Sequence, residues 1–181
     1  GAAFLGENSY RQAADPEYRK FLRDDDEIRA LVGDKLLGEP RFNPDATIDF
    51  LRWSRPQFDG PALRALACLR YLEAGGEKTG ELARLLKLDL GFTRRHAAEP
   101  CIGPWEEPGQ IAHHYYVALV QLGALAYGRA WAGDAAREWT AAEDKLRAAL
   151  DRHVAERHAA FHRKRLDGRT REFDDMAGAA G

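Results

Sequence analysis

The sequence predicts an all-α protein, a helical bundle built from stacked antiparallel hairpins. Helix-start signals recur along the chain, an almost wholly apolar stretch covers residues 111–131, and no segment alternates polar and apolar residues as a strand would. The chain has 181 residues, of which 45% are hydrophobic and 31% charged. A chain of this length buries roughly 70% of its unfolded surface, so it can form a core without disulfides or metals.

The first predicted helices follow a cap residue and a proline. Asp15-Pro16 places an N-cap before a proline at the first helical position, where the missing N–H costs nothing. Apolar residues at helical spacing then continue to Val32. Asn43-Pro44 repeats the arrangement, so we expect a second helix there that runs past Ile48 to Trp53.

Two further helices and a long loop follow. Gly60-Pro61 opens a leucine-rich helix that stops at Gly75-Gly76, and Thr79 caps a helix that ends near Gly91. Prolines and glycines crowd the end of the segment 93–110, and no helix can run through them. We therefore expect a loop that separates two helical halves.

The C-terminal half is predicted to be a helical hairpin. Residues 111–131 are apolar on all sides, which is typical of a helix buried inside a bundle. Gly133-Asp134 breaks the chain, and a second helix is expected from Ala135 to about Arg165. The expected organisation is an extended arm (1–14), one helical domain (15–166, divided into 15–92, 93–110 and 111–166) and a C-terminal tail (167–181).

Charge, cysteine content and hydropathy exclude several classes of protein. Lys plus Arg number 27 against 29 Asp plus Glu, which gives a formal charge of -2 and argues against wholesale binding to polyanions. Cys68 and Cys101 alone form no disulfide framework. No apolar run approaches 18 residues, so we expect no membrane span.

The segment Leu119–Arg152 resembles one tetratricopeptide-type helical repeat. The residues that carry the match are Gly123, Ala135, Trp139 and Ala142. The resemblance implies two helices that approach closely at these small residues, with the tryptophan sealing the joint. A pentatricopeptide-like hairpin is conceivable for Pro61–Leu90, and two such units would stack as a short solenoid. A plain antiparallel helix pair is the alternative.

The middle of the segment 63–98 also resembles a winged helix-turn-helix regulator. The segment Glu81–Leu86 would be the positioning helix, and a recognition helix would begin at Phe92. The resemblance implies that Arg94 and Arg95 face phosphates or base edges. Pro100 cuts this helix short, which weakens the prediction of DNA binding. DNA binding is therefore the alternative function, and nucleic acid is not the favoured partner.

Histidines and arginines near the C-terminus suggest two other chemistries. His158 and His162 lie one turn apart on one helix face, which is the spacing of a metal pair, but no Glu-x-x-His motif accompanies them. Arg157-x4-His162 resembles the Arg-x4-6-His signature of HEPN ribonucleases, in which the pair would bind the scissile phosphate. A solvated basic face is the favoured interpretation.

We therefore predict a non-catalytic interaction protein with no catalytic, cofactor-binding or metal-ligating residues. Four Trp, six Tyr and eight Phe exceed what one small core needs, and aromatic residues dominate interface hot spots. A run of basic residues near the C-terminus would orient a partner protein and raise its rate of association. The expected contacts with partner subunits are Trp53, Phe58, Trp105, Tyr115, Tyr116, Arg157, Arg163, Lys164 and Arg165.

Size and architecture are similar to those of small accessory subunits of mitochondrial assemblies, such as a helical-repeat subunit attached to ATP synthase. Gly1 in the first position fits a processed mature form or a tag remnant. The comparison implies other protein subunits as partners and the mitochondrial matrix as the compartment, with the cytoplasm as the alternative.

Overall fold

A computed structural model describes residues 15–17, 19–52, 55–106 and 109–178, and residues 161–178 as backbone only. The helices in these ranges are α1 Asp25–Arg29, α2 Asp34–Leu37, α3 Gly60–Glu73, α4 Gly80–Arg95, α5 Tyr115–Ala132 and α6 Thr140–Gly178. Two 3₁₀ segments cover Arg19–Phe21 and Gly133–Trp139. The only β-structure in the described residues is a set of isolated bridges, and this confirms the predicted all-α bundle.

Helices α3 and α4 begin where the sequence predicts. Pro61 occupies the first turn of α3, where its fixed φ suits the helix. The hydroxyl of Thr79 accepts a hydrogen bond from the N–H of Leu82 at 3.2 Å, so it satisfies one of the unpaired N–H groups at the start of α4.

Helix α5 lies at the centre of the bundle, in contact with α3, α4 and α6. Its apolar residues meet those of the other helices in one continuous core. The fully buried members of this core include Ala62, Ala65, Leu86, Ala124, Leu125 and Leu146. Burial of these side chains is the main source of the stability of the bundle.

The hairpin of α5 and α6 departs from the tetratricopeptide-like spacing. The segment Gly133–Trp139 is a 3₁₀ helix, so Ala135 does not begin the second α-helix. Gly123 has nothing within 4 Å of the position a Cβ would take, whereas a Cβ on Gly128 would lie 3.0 Å from both methyl groups of Leu90. Gly128 is therefore the glycine that permits the close approach.

Helix α6 is longer than the sequence indicates. Its backbone continues to Gly178, through part of the segment assigned to a C-terminal tail. A single glycine such as Gly168 weakens a helix without ending it. No described helix is long and apolar enough to cross a membrane.

The predicted helix after Asn43-Pro44 is wrong. The carboxylate of Asp45 accepts hydrogen bonds from the backbone N–H of Thr47 at 3.2 Å and from its hydroxyl at 2.6 Å. Phe42 and Ile48 form an antiparallel bridge across this turn. Side-chain bonds of this kind give the backbone an alternative to the helix.

The N-terminal segment is joined to the bundle by hydrogen bonds from two arginines, one on α3 and one on α4. Arg64 on α3 donates to both carboxylate oxygens of Asp89 on α4, at 3.2 and 2.7 Å, and to the carbonyl of Leu37 at 2.9 Å. Arg95 donates to both oxygens of Asp34 at 2.8 and 2.5 Å. These bonds fix α2 against the C-terminal end of α4.

The same contacts correct the helix-turn-helix interpretation. Helix α4 is continuous from Gly80 to Arg95, so no separate recognition helix begins at Phe92. Arg94 pairs with Glu138 at 3.2 Å, and Arg95 with Asp34. Both guanidinium groups therefore serve packing between elements of this chain.

Candidate active site

Two loop segments that are distant in sequence meet at the start of α3. The N–H of Ile102 donates to the carbonyl of Pro56 at 2.8 Å. Cys101 and Ala112 exchange two backbone hydrogen bonds of 3.0 Å, which holds the ends of the proline- and glycine-rich loop together. The loop is thereby fixed over the residues that precede α3.

Two carboxyl groups lie at this junction, close enough for the charge of one to act on the other. Asp59, directly before α3, is 8% exposed, and Glu106 lies in the loop above it. The side-chain amide of Gln57 donates to Oε1 of Glu106 at 3.1 Å. Burial raises the pKa of Asp59, the backbone N–H groups of Asp59 and Gly60 oppose the rise, and the nearby charge of Glu106 adds to it.

Glu106 has an unusual backbone conformation. Its φ is +54°, a value that residues other than glycine adopt rarely, and its N–H donates to the carbonyl of Gly103 at 2.9 Å. Such conformations cost roughly 1–3 kcal/mol and cluster at functional sites. The preceding Trp105 is 85% exposed.

His114 joins the loop to the start of α5. Its Nε2 lies 3.0 Å from the carbonyl oxygen of Cys101, so this nitrogen carries the proton of the hydrogen bond. A positive charge on His114 would lower the pKa of Asp59. His114 is therefore part of the electrostatic environment of the carboxyl pair.

A groove of about 730 Å³ runs from this loop along α6. It is lined by three aromatic side chains, three imidazoles, a guanidinium and two apolar residues. These are Pro104, Trp105, His114, Tyr115, Tyr116, His153, Val154, Arg157 and His158. The groove is large enough for a small molecule and offers both flat apolar surface and hydrogen-bond donors.

The structure brings together four of the predicted contact residues, because Trp105, Tyr115, Tyr116 and Arg157 line this groove. Phe58 lies on the other side of the junction, where its ring stacks on His96 with centroids 4.8 Å apart. Trp53 lies outside the described residues, as do the side chains of Arg163, Lys164 and Arg165.

Sequence reasoning missed Gln57, Asp59 and Glu106. Gln57 and Asp59 lie about fifty residues from Glu106 and match no short motif with it, because long-range contacts such as the Ile102–Pro56 pairing bring them together. The one available signal was a carboxyl residue beside a tryptophan in a loop too rich in proline and glycine to be helical. Among residues with described side chains, no group of three or more His, Cys, Asp or Glu could hold a metal ion.

Fold and site together define an all-α protein that holds carboxyl groups on the loops joining its helices. Paired carboxyl groups are the side chains that most enzymes use to hydrolyse glycosidic bonds. A profile of glycosyl hydrolases family 15 matches residues 12–172. The chain belongs to this family.

The curated relatives agree with the family. The chain is 37% identical over 102 residues to a probable glucoamylase of Schizosaccharomyces pombe, covering 53% of this chain and 22% of the relative. A glucoamylase of Saccharomycopsis fibuligera is 37% identical over 109 residues, or 51% and 21% of the two chains. Glucoamylase 1 of Rhizopus oryzae is 33% identical over 114 residues, or 58% and 18%.

The chain spans about a fifth of the length of these relatives. The comparison with solved structures gave no match.

Family membership corrects the functional prediction. The chain belongs to a family of hydrolases and resembles glucoamylases. The prediction of a non-catalytic accessory subunit built from a tetratricopeptide-like repeat was therefore wrong. The helix-turn-helix and ribonuclease alternatives were wrong too, as was the prediction that the chain is not an enzyme. The error has a physical source. A catalytic set assembled from separate loops leaves no local spacing pattern for sequence reasoning to find. Partner subunits and the mitochondrial matrix stay predictions.

Proposed function

We propose that this chain forms part of the active site of a glycoside hydrolase that releases glucose from starch-type glucans, with Glu106 as the proton donor. The bond from Gln57 to Glu106, next to the buried carboxyl group of Asp59, is the observation that carries the proposal. The family match and the names of the relatives supply the reaction type and the substrate class.

Accessibility favours Glu106 over Asp59 as the proton donor. A general acid must reach the oxygen of the scissile bond within hydrogen-bond distance. Glu106 is half-buried at the surface of the loop, whereas Asp59 is buried beneath it. The amide of Gln57 binds one oxygen of Glu106 and so limits the rotation of its carboxyl group.

The exposed tryptophan beside Glu106 suits a sugar ring. An indole presents a broad apolar face, and a pyranose presents C–H groups on one side and hydroxyl groups around its rim. Trp105 would take the apolar face, while polar side chains of the groove would take the hydroxyl groups. Asp59 would accept a hydrogen bond from a sugar hydroxyl or from a water beneath it.

Substitution of Glu106 tests its role. We expect Glu106→Gln to lower kcat on soluble starch by about 10²–10⁴-fold, the range supplied by one general acid. On a glucosyl fluoride the loss should be far smaller, because fluoride leaves without full protonation. Glucose release is to be measured in the protein as its source organism produces it.

Two further variants make the result specific. Glu138→Gln removes an exposed glutamate that pairs with Arg94 and does not line the groove, and it should leave both activities unchanged. Asp59→Asn should lower activity on both substrates, because its role does not depend on the leaving group. Equal losses for Glu106→Gln on starch and on the fluoride would rule out Glu106 as the acid.

A further inference from the structure

Gln121 is a buried polar side chain on the otherwise apolar helix α5. It is 1% exposed, and each of its hydrogen bonds goes to a segment outside its own helix. Its Nε2 donates to the carbonyl of His96 at 3.0 Å and to the carbonyl of Phe58 at 3.4 Å, and its Oε1 accepts from the N–H of Ala98 at 3.1 Å. One amide thus binds the end of α4 and the segment before α3.

The carbonyl of Phe58 belongs to the peptide that leads into Asp59. Of the two residues on either side of Phe58, Gln57 donates a hydrogen bond to Glu106 and Asp59 is affected by the charge of Glu106. The ring of Phe58 stacks on His96 and lies 6.0 Å from the ring of Phe92, centroid to centroid. The Phe58 residue is therefore held by its ring from α4 and by its carbonyl from α5.

Packing alone does not explain a glutamine at this position. Burial of an amide costs free energy unless its donors and acceptor are bound, and a leucine would fill similar volume without that cost. In Gln121 both the NH₂ group and the oxygen are bound, and their partners are backbone groups next to the candidate site. A fully bonded buried amide fixes those backbone groups in one arrangement.

We propose that Gln121 is a positioning residue of this site, which fixes the Phe58 carbonyl so that Gln57 and Asp59 keep their places relative to Glu106. The inference rests on the proposed function for its kinetic consequence only. Its structural consequence, a defined position of the Asp59 carboxyl group, can be measured whether or not the chain is active.

The first test follows the titration of Asp59 in the 181-residue chain by ¹³C NMR of its carboxyl carbon. In Gln121→Leu the Phe58 peptide loses its donor, and water gains access to Asp59. We expect the titration midpoint of Asp59 to move from its raised value towards that of an ordinary aspartate. A midpoint equal to that of the parent chain would overturn the proposal.

Glu143→Gln provides the matched control. Glu143 is also buried, lies on α6 and accepts two hydrogen bonds from Arg129, at 2.8 and 2.6 Å, away from the junction. The substitution should lower stability without moving the Asp59 midpoint. If both variants moved it equally, the effect would be general loosening and the positioning role would be rejected.

The second test uses Gln121→Glu, which keeps the size of the side chain and the acceptor for Ala98. A protonated carboxyl group can donate one hydrogen bond to a carbonyl, whereas a carboxylate repels it. We expect kcat on starch to be about 10–100-fold lower at neutral pH, with KM nearly unchanged, and to recover towards acidic pH. Gln121→Leu should show no such recovery.

These readouts separate the two proposals. A parent protein without glycosidase activity would refute the proposed function, while the Asp59 titration would still decide the role of Gln121. If Gln121→Leu fails to fold, Gln121→Glu alone tests the positioning role of Gln121. An Asp59 titration midpoint that does not change when the introduced carboxyl group ionises would refute that role.

Discussion

Gly103 shows how closely the loop residues of the candidate site are packed. A Cβ at this position would lie 2.5 Å from Nδ1 of His114, closer than atoms can approach. The imidazole is itself held by the carbonyl of Cys101. The absence of a side chain at Gly103 is thus what allows His114 to reach that carbonyl.

We expect Gly103→Ala to destabilise the chain by about 1–3 kcal/mol, the usual cost of forcing extra volume into a packed site. The His114 ring must turn away from Cys101 or the loop must move. Urea unfolding followed by circular dichroism measures the change.

Gly123→Ala is the matched control, because nothing lies within 4 Å of its Cβ position and it sits inside α5. Alanine should stabilise the helix there by about 0.5–1 kcal/mol. An equal loss of stability in both variants would contradict the close contact at Gly103.

At the scale of elements, similar sequence signals had different outcomes. Thr79 caps α4 through its hydroxyl as predicted, because the chain before it is free to adopt the extended conformation that an N-cap needs. Asn43-Pro44 offered an equally good cap, yet Asp45 and Thr47 closed a turn instead. The side-chain bonds that close this turn are local, but the neighbouring bridge between Phe42 and Ile48 also favours the turn over a helix.

The cap of α4 can be tested directly. Thr79→Ala should cost about 1 kcal/mol of stability, since the N–H of Leu82 loses its acceptor. Thr79→Ser keeps the hydroxyl and should cost only a small fraction of that. Thermal and urea unfolding of both variants measure the difference, and equal losses would show that the cap contributes nothing.

At the scale of the whole molecule, ion pairs join segments that the hydrophobic core does not. Asp34 on α2 binds Arg95 and lies 3.1 Å from Nε2 of His96 at the end of α4. The hydrogen bond from Arg95 holds the pKa of Asp34 below its usual value, against an opposing effect of burial. The buried Asp89 shows the reverse, because burial raises its pKa despite the pairing with Arg64.

The pH dependence of stability follows from the sign of these shifts. A carboxyl group with a lowered native pKa stabilises the fold above its unfolded pKa of 3.8, and this contribution is lost as pH falls through the native pKa. Asp34→Asn should therefore lower stability at neutral pH and have little effect well below that unfolded pKa. The change is small, because the pair is partly exposed.

Urea unfolding at neutral pH and at about pH 2 measures this difference. Asp134→Asn removes an exposed partner of Arg137 and should leave stability nearly unchanged at either pH. A loss for Asp34→Asn that is equal at both pH values would contradict the assignment.

The sequence alone determined the helical class and the starts of α3 and α4, because caps, prolines and apolar periodicity act over a few residues. It also predicted Trp105, Tyr115, Tyr116 and Arg157 as contacts with partner subunits, which stays a prediction; that they line one groove was decided by the tertiary structure.

Only the tertiary structure decided which residues form a site. Gln57 and Asp59 reach Glu106 because Ile102 pairs with Pro56 and because Gln121 binds the Phe58 carbonyl. These contacts span between roughly forty and sixty positions of the chain, so no local pattern encodes them. Chemistry that depends on long-range contacts appears only once the core has brought its parts together.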